Sequence, residues 1–244
     1  VSGYKWFYQT SPMMLQNNGE LYTQDENGLV TTGIDSKNAV KGLQLLGDLF
    51  TKYSLDTSVQ NFFNSFRYST LPIGIVGMED YTLIKNGAQE LDGKWKLAEY
   101  LGTEQEDGTI NRKFVANGTG GVIFKNSEKK EASWEFLKWW TSAETQTRYS
   151  GNVESVLGML GRPQTSNVKA LESLAWNAED KENIVEQWKN VREIPEIPGS
   201  YYLTRSVDQA FWQVINGKAN VKDAVVKWSR VADSEIERKI KEYS

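Results

Sequence analysis

Apolar residues recur at helical spacing along much of the chain. After Ser36, Val40, Leu43, Leu46 and Phe50 mark one face of a helix running to about Tyr53, with Ser36 as its cap. Residues 1–19 form an aromatic segment of helical character that stops at the turn Asn17-Asn18-Gly19. A short helix over about 58–67 carries Phe62, Phe63 and Phe66, and Met78-Glu79-Asp80-Tyr81 opens another, its acids favouring a helix N-terminus. Asn126-Ser127 caps an amphipathic helix expected to turn Ala132, Phe136, Leu137 and Trp140 inward. A short helix from Ser142 through Tyr149 precedes a loop over 151–165, and helices over about 167–177 and 180–192 follow. Pro195 and Pro198 hold 194–199 extended. Two closing helices, about 201–216 and 221–243, are separated by Gly217, with Asn220 and Asp223 in capping-box places.

Period-2 and short apolar runs supply the strands. Residues 20–33 read as a hairpin around Asp25-Glu26-Asn27-Gly28. Leu71–Gly77 and Trp95–Leu101 read as strands, the first of them buried. Asn117-Gly118-Thr119-Gly120-Gly121 leads into a third apolar run, Val122-Ile123-Phe124. Many helices with a few short strands predict an α/β fold, and neither a repeat nor a Pro/Gly/Ser-rich linker divides the chain.

Composition narrows the chemistry. The 244 residues contain neither His nor Cys, which removes Ser-His-Asp and Cys-His catalysis, thiolate nucleophiles and zinc–thiolate sites, so no cofactor or metal is expected. A Cys-free chain also suits export without disulfide chemistry. The net charge of -4, with Lys and Arg scattered, gives no basic stripe for nucleic acid. No apolar run is long enough to span a bilayer. No signal peptide opens the sequence, so either the protein is cytosolic or its beginning has been removed. Nine Trp and eleven Tyr outnumber nine Phe by more than two to one, and rings that pair a flat apolar face with a polar tip suit sugar stacking as well as core packing.

Several residues are candidates for a site. The glycine stretch lacks phosphate-loop spacing and precedes its strand, so Gly118, Gly120 and Gly121 read as a flexible crossing that permits positive φ. Glu79 follows an expected strand, where α/β sheets hold ligands, and with Asp80 it is a possible acid pair for glycan hydrolysis. Adjacent carboxylates point different ways, which favours Glu79 accepting a hydrogen bond from a ligand hydroxyl, or simply a helix start. Tyr201, Tyr202 and Arg205 open a helix after the prolines, offering stacking faces and a donor fork. Trp6, Phe7 and Tyr8 form either a stacking wall or core.

Four ordered stretches resemble the family 1 extracellular solute-binding proteins, the maltose-binding-like group. They are WFYQTSPMMLQNNGELYTQDENG with KNAVKGLQLLGDLFTKY; PIGIVGMEDY entered from NFFNSFRYST; NGTGGVIFKNSEKKEASWEFLKWWTSAETQTRYS; and IPEIPGSYYLTRSVDQAFWQVINGKANVKDAVVKWSRVADSEIERKIKEY. The resemblance implies a helix-rich, short-stranded lobe of the type II periplasmic-binding-protein fold, lacking most of the N-terminal lobe. It assigns 1–117 and 165–244 to the C-terminal lobe and 118–164 to a segment returning to the other lobe, with a hinge near 116–121.

The same resemblance implies the substrate-binding component of an ABC importer, non-catalytic, outside the cell and lipid-anchored or periplasmic. It would hold a carbohydrate through Trp6, Tyr8, Glu79, Tyr81, Tyr201 and Arg205 and dock on a membrane permease, and the fragment could self-associate. The post-strand place often carries Trp in sugar binders of the family; here Glu79 and Asp80 precede Tyr81. A glycan hydrolase or lyase using carboxylates, and an accessory interaction domain of a larger surface protein, are the alternatives.

Overall fold

The computed structural model describes residues 7–26, 28–55, 57, 61–116, 118–194 and 196–243. In chain order they form α1 (Phe7–Gln16), β1 (Tyr22–Gln24), β2 (Val30–Thr32), α2 (Lys37–Thr51), α3 (Phe62–Arg67), α4 (Met78–Gly87), β3 (Thr103–Glu104), β4 (Ile110–Asn111), β5 (Phe114–Val115), α5 (Lys130–Thr141), α6 (Ala143–Leu157), α7 (Val168–Ser173), α8 (Ala178–Trp188), β6 (Val191–Arg192), α9 (Tyr201–Gly217) and α10 (Val221–Tyr243). Two compact units emerge from the contacts. Unit 1 comprises 1–58, 100–116 and 189–244, and unit 2 comprises 59–99 and 117–188.

Unit 1 is built around α9. Leu203, Val207, Ala210 and Val214 recur at i, i+4, i+7 and i+11, and each is at most 5% exposed. This stripe packs on α10, α1 and α2, with Phe211 edge-on to Phe50 of α2 at 5.4 Å. Gly42 lets α1 and α2 touch at backbone distance: a Cβ there would overlap the Met13 carbonyl and lie 2.6 Å from Met14 Cα. Ser36 caps α2 by accepting from the Ala39 N–H at 3.3 Å, and Asn220 caps α10 by accepting from the Lys222 and Asp223 N–H groups. The expected hairpin forms, with Tyr22 opposite Thr32 in an antiparallel pair.

The C-terminus of α1 finds its partners in the 100–116 segment. Gln16, 1% exposed, donates to the Leu101 and Lys113 carbonyls, while Gln105 and Asn111 donate to the Gln16 carbonyl. The carbonyls a helix leaves unpaired at its end are thereby satisfied by side chains. β3 and β4 pair antiparallel, and β5 pairs in parallel with β6, with Phe114 beside Val191.

Unit 2 holds α3–α8. Its core combines Ile84, Ala88, Ala170, Leu171, Leu174 and Ile184 with buried polar groups. Arg162, 7% exposed, ion-pairs with Glu154 of α6, donates to the Ala175 carbonyl at 3.0 Å and lies 4.4 Å from the Trp176 ring centroid.

Several sequence expectations fail in unit 2. Leu71–Gly77, Trp95–Leu101 and Val122–Phe124 form no strand (Leu101 itself falls in unit 1), and Ile73, Leu101, Val122 and Phe124 are each at least 70% exposed. A strand needs a neighbour to accept its ladder, and these segments have none among the described residues. α5 forms but fully buries no residue: of its expected inward positions Ala132 and Phe136 are exposed, and Leu137 and Trp140 are half-buried. The helix from Ser142 runs on to Leu157, through part of the expected loop. Gly118, Gly120 and Gly121 are not among the positive-φ glycines, so the conformational reason offered for them does not apply. Asn117 lies outside the described residues.

Gly42→Ala is expected to lower stability by about 1–3 kcal/mol through overpacking. Gly151→Ala, in an open place on α6, is expected to raise it by about 0.5–1 kcal/mol. Urea unfolding of the two variants checks both signs.

Candidate functional site

The candidate residues fall on both units. On unit 1, Tyr8 sits in the first turn of α1, 37% exposed and edge-on to buried Phe7 at 5.5 Å. The neighbouring helix α9 presents Tyr201, 45% exposed, in its first turn. Arg205, four residues on, is exposed and makes no ion pair among the described residues. The Tyr201 and Tyr202 ring centroids lie 4.2 Å apart, and the closeness of the Tyr202 hydroxyl pushes the Tyr201 phenol up to about 12. Glu235 and Arg238 of α10 form an ion pair at 2.8 Å near these rings. Trp6 lies outside the described residues.

The face of α9 that carries Tyr201 and Arg205 continues to a residue that the sequence reading passed over. Positions 201, 205 and 208 stand at i, i+4 and i+7, a single stripe on a helix. Asp208 is 1% exposed, and neither carboxylate oxygen has a hydrogen-bond partner. Burial alone pushes this carboxyl up to about 7. The i+7 spacing was the available signal; an acid within a helix otherwise reads as solvated.

On unit 2, Glu79 and Tyr81 belong to α4. Glu79 is exposed and accepts from Gln164 Nε2 at 3.3 Å. Its carboxylate folds over Gly77, where any Cβ would collide with it, so the glycine makes that rotamer available. Asp80 is held above the ordinary carboxylate range, first by burial and then by the charge of Glu79. Tyr81 offers no free stacking face here, which corrects its expected role. Its ring is 3% exposed between Trp95 (5.4 Å) and Trp176 (5.0 Å), and its hydroxyl donates to Asp180 at 2.6 Å. Burial, followed by that carboxylate, raises the phenol well above its usual value. A polar hollow of about 420 Å³ opens beside it, lined by Lys85, Asn86, Gln89, Asp92, Met159 and Asn177.

This inventory supports binding chemistry. It offers rings, a guanidinium and carboxylates, and the described residues hold no group of three or more acids that could bind a metal.

Residues 2–147 match the family model described as bacterial extracellular solute-binding protein. No curated protein matches the chain. Among solved structures, the chain is similar to the sugar-binding protein MalE from the phytopathogen Xanthomonas citri, at TM-score 0.73 and 20% identity over 97% of this chain and 57% of that one. It is also similar to an ABC transporter solute-binding protein from Thermotoga lettingae bound with alpha-D-tagatose, at TM-score 0.70 and 18% identity over 96% and 57%. A third likeness is to the maltose-maltodextrin binding protein of the thermoacidophilic bacterium Alicyclobacillus acidocaldarius, at TM-score 0.61 and 16% identity over 94% and 60%. At these identities the likeness is one of fold, and it places the chain in the type II periplasmic-binding-protein class. The chain spans less than two thirds of the length of these structures.

Tyr81→Phe is expected to cost about 1–3 kcal/mol, because it leaves the Asp180 carboxylate without its buried donor; urea unfolding measures it. Asp208 sets a pH dependence. Its folded-state value of about 7 exceeds the ordinary 3.8, so the folded state holds the proton more tightly than the unfolded one. Its contribution to stability is therefore greatest at acid pH and declines as pH rises from about 4 to about 7. Thermal melts across that window should show a decline that Asp208→Asn flattens.

Proposed function

The chain belongs to the bacterial extracellular solute-binding protein family, and from that premise we propose that it forms most of one lobe of a non-catalytic carbohydrate receptor for an ABC importer. The observation that carries the proposal is that Tyr8 is exposed on α1 while Tyr201 and Arg205 are exposed on α9, a helix packed against it. Tyrosine faces stack on the C–H side of a sugar ring, and the guanidinium fork donates to its hydroxyls. Trp6, two residues before Tyr8 in the sequence, is a further candidate for stacking. Glu79 is a candidate acceptor on unit 2, and Tyr81 backs α4 from within that unit's core. Structures of similar fold are named as binding sugar, tagatose and maltodextrins, which motivates the choice of ligand class.

In the proposed receptor, residues 1–117 and 165–244 belong to one lobe and 118–164 return to the other, the chain crossing at Gly118, Gly120 and Gly121. Closure of the lobes on ligand would present them to a permease at the membrane. The receptor would act outside the cell, as a periplasmic or lipid-anchored protein. The exposed apolar side chains of α5 and of the 71–77 and 122–124 segments are surfaces for the rest of a full-length receptor, or a second copy of this chain, to cover. Glu79 and Asp80 as a hydrolytic pair receive no support from a family of binding proteins.

Titration of the full-length protein with D-tagatose, maltose and maltodextrins, followed by Trp fluorescence, tests the proposal. A saturable response is expected, with Arg205→Ala weakening it by about tenfold or more. A response to spermidine or a dipeptide, with none to any saccharide, would overturn it.

A further inference from the structure

Asp208 poses a problem that the protein's own groups do not solve. Its side chain is buried, and both oxygens lack partners. An ionised carboxylate in that position needs donors, and a protonated one still needs an acceptor for its O–H. Neither form is satisfied. An apolar residue of similar size would serve a purely structural purpose better. The stripe on which it lies supplies the context: Tyr201 and Arg205, seven and three residues before it, open toward solvent at the outer end, and Asp208 closes the inner end.

We infer that the Asp208 carboxylate is a ligand-binding group, accepting hydrogen bonds from adjacent hydroxyls of a neutral saccharide held along this stripe of α9. The inference rests on the receptor function proposed above and assigns to it a residue and a chemical demand. Two neighbouring hydroxyls donate to the two oxygens of one carboxylate, a bidentate match that a single donor lacks. Reaching the carboxylate requires the side chains over the inner end of the stripe to shift, so ligand entry and that shift occur together.

Binding then has a proton signature. Before ligand, burial holds the group largely protonated at mildly acid pH. Donated hydroxyls favour the ionised form, so binding expels the proton. Of the helices packed on α9, α10 carries most of the charge, with Lys222, Asp223, Lys227 and Arg230 in its first half. α1 has no charged residue, and Tyr8 is its one titratable group. α2 carries Lys37, Lys41 and Asp48, the last paired at 2.7 Å with Lys52 just beyond the helix end. α10 brings Glu235 and Arg238 to the Tyr201–Tyr202 end, and Asp233 is occupied by Thr32. On α9 itself Arg205 is the nearest cation in sequence.

The test is calorimetry of the full-length protein with D-tagatose, maltose and maltotriose at about pH 6, in phosphate and in Bis-Tris, whose ionisation heats differ. The wild type is expected to release close to one proton per saccharide bound. Asp208→Asn is expected to release none and to bind about tenfold or more weakly. Saccharide binding with no buffer-dependent heat in the wild type, or equally tight binding by Asp208→Asn, overturns the inference and leaves the receptor function standing. Failure of every saccharide to bind the wild type overturns the receptor function and the inference with it. If Asp208→Asn does not fold, the wild-type measurement in two buffers decides alone.

Discussion

The burial of α9 is the constraint on which unit 1 depends. One stripe of this helix is fully committed to α10, α2 and α1, with Phe211 against Phe50 and Val207 against the same core. That commitment fixes the rotation of the helix. Once Leu203 and Val207 point inward, Tyr201 and Arg205 must point outward, because 3.6 residues per turn leave no freedom. The candidate binding wall is thus a by-product of core packing. Asp208 shares the angular position of Tyr201 and Arg205 and is nevertheless buried, so other parts of unit 1 cover the stripe at that level.

Unit 2 is organised by different forces. Its buried centre relies on hydrogen-bonded polar groups: Tyr81 on Asp180, and Arg162 on Glu154 and the Ala175 carbonyl, with Trp176 beneath the guanidinium. Such networks hold a geometry well when every member is paired, and they are costly when one member is lost. Arg162 Nη1 and Trp176 Nε1 are buried without partners, so the network is not fully closed. Meanwhile α5 keeps its aromatic side chains exposed. Unit 1 is therefore the better-determined half of the molecule and the sounder platform for a binding surface.

Local signals in the sequence read true where they were self-contained. Ser36, Asn220 and the 3.6-residue periodicity placed α2, α9 and α10 within a residue or two, since caps and stripes act within one element. Strands read less well, because a strand is a property of two segments. Leu71–Gly77 and Val122–Phe124 have the composition of buried strands, yet pairing is not written in either segment alone. The site was legible in the same uneven way. Tyr201 and Arg205 are candidates from residue type and their place at a helix start, and Tyr8 from the opening aromatic segment; all three are exposed. Tyr81 could not be told from a stacking ring until the Asp180 bond and its burial were seen. Asp208 was hidden because an acid on a helix is ordinarily solvated, and only its lack of partners sets it apart.

The central claim is that the ligand is held on the outward stripe of α9 and the adjoining first turns of α1. Hydrogen–deuterium exchange of the full-length protein, with and without a saturating saccharide, tests it most directly. The account predicts slower exchange at the backbone amides of 201–208 and 7–11 when the saccharide is bound. Demonstrated binding with unchanged exchange in both segments would contradict it.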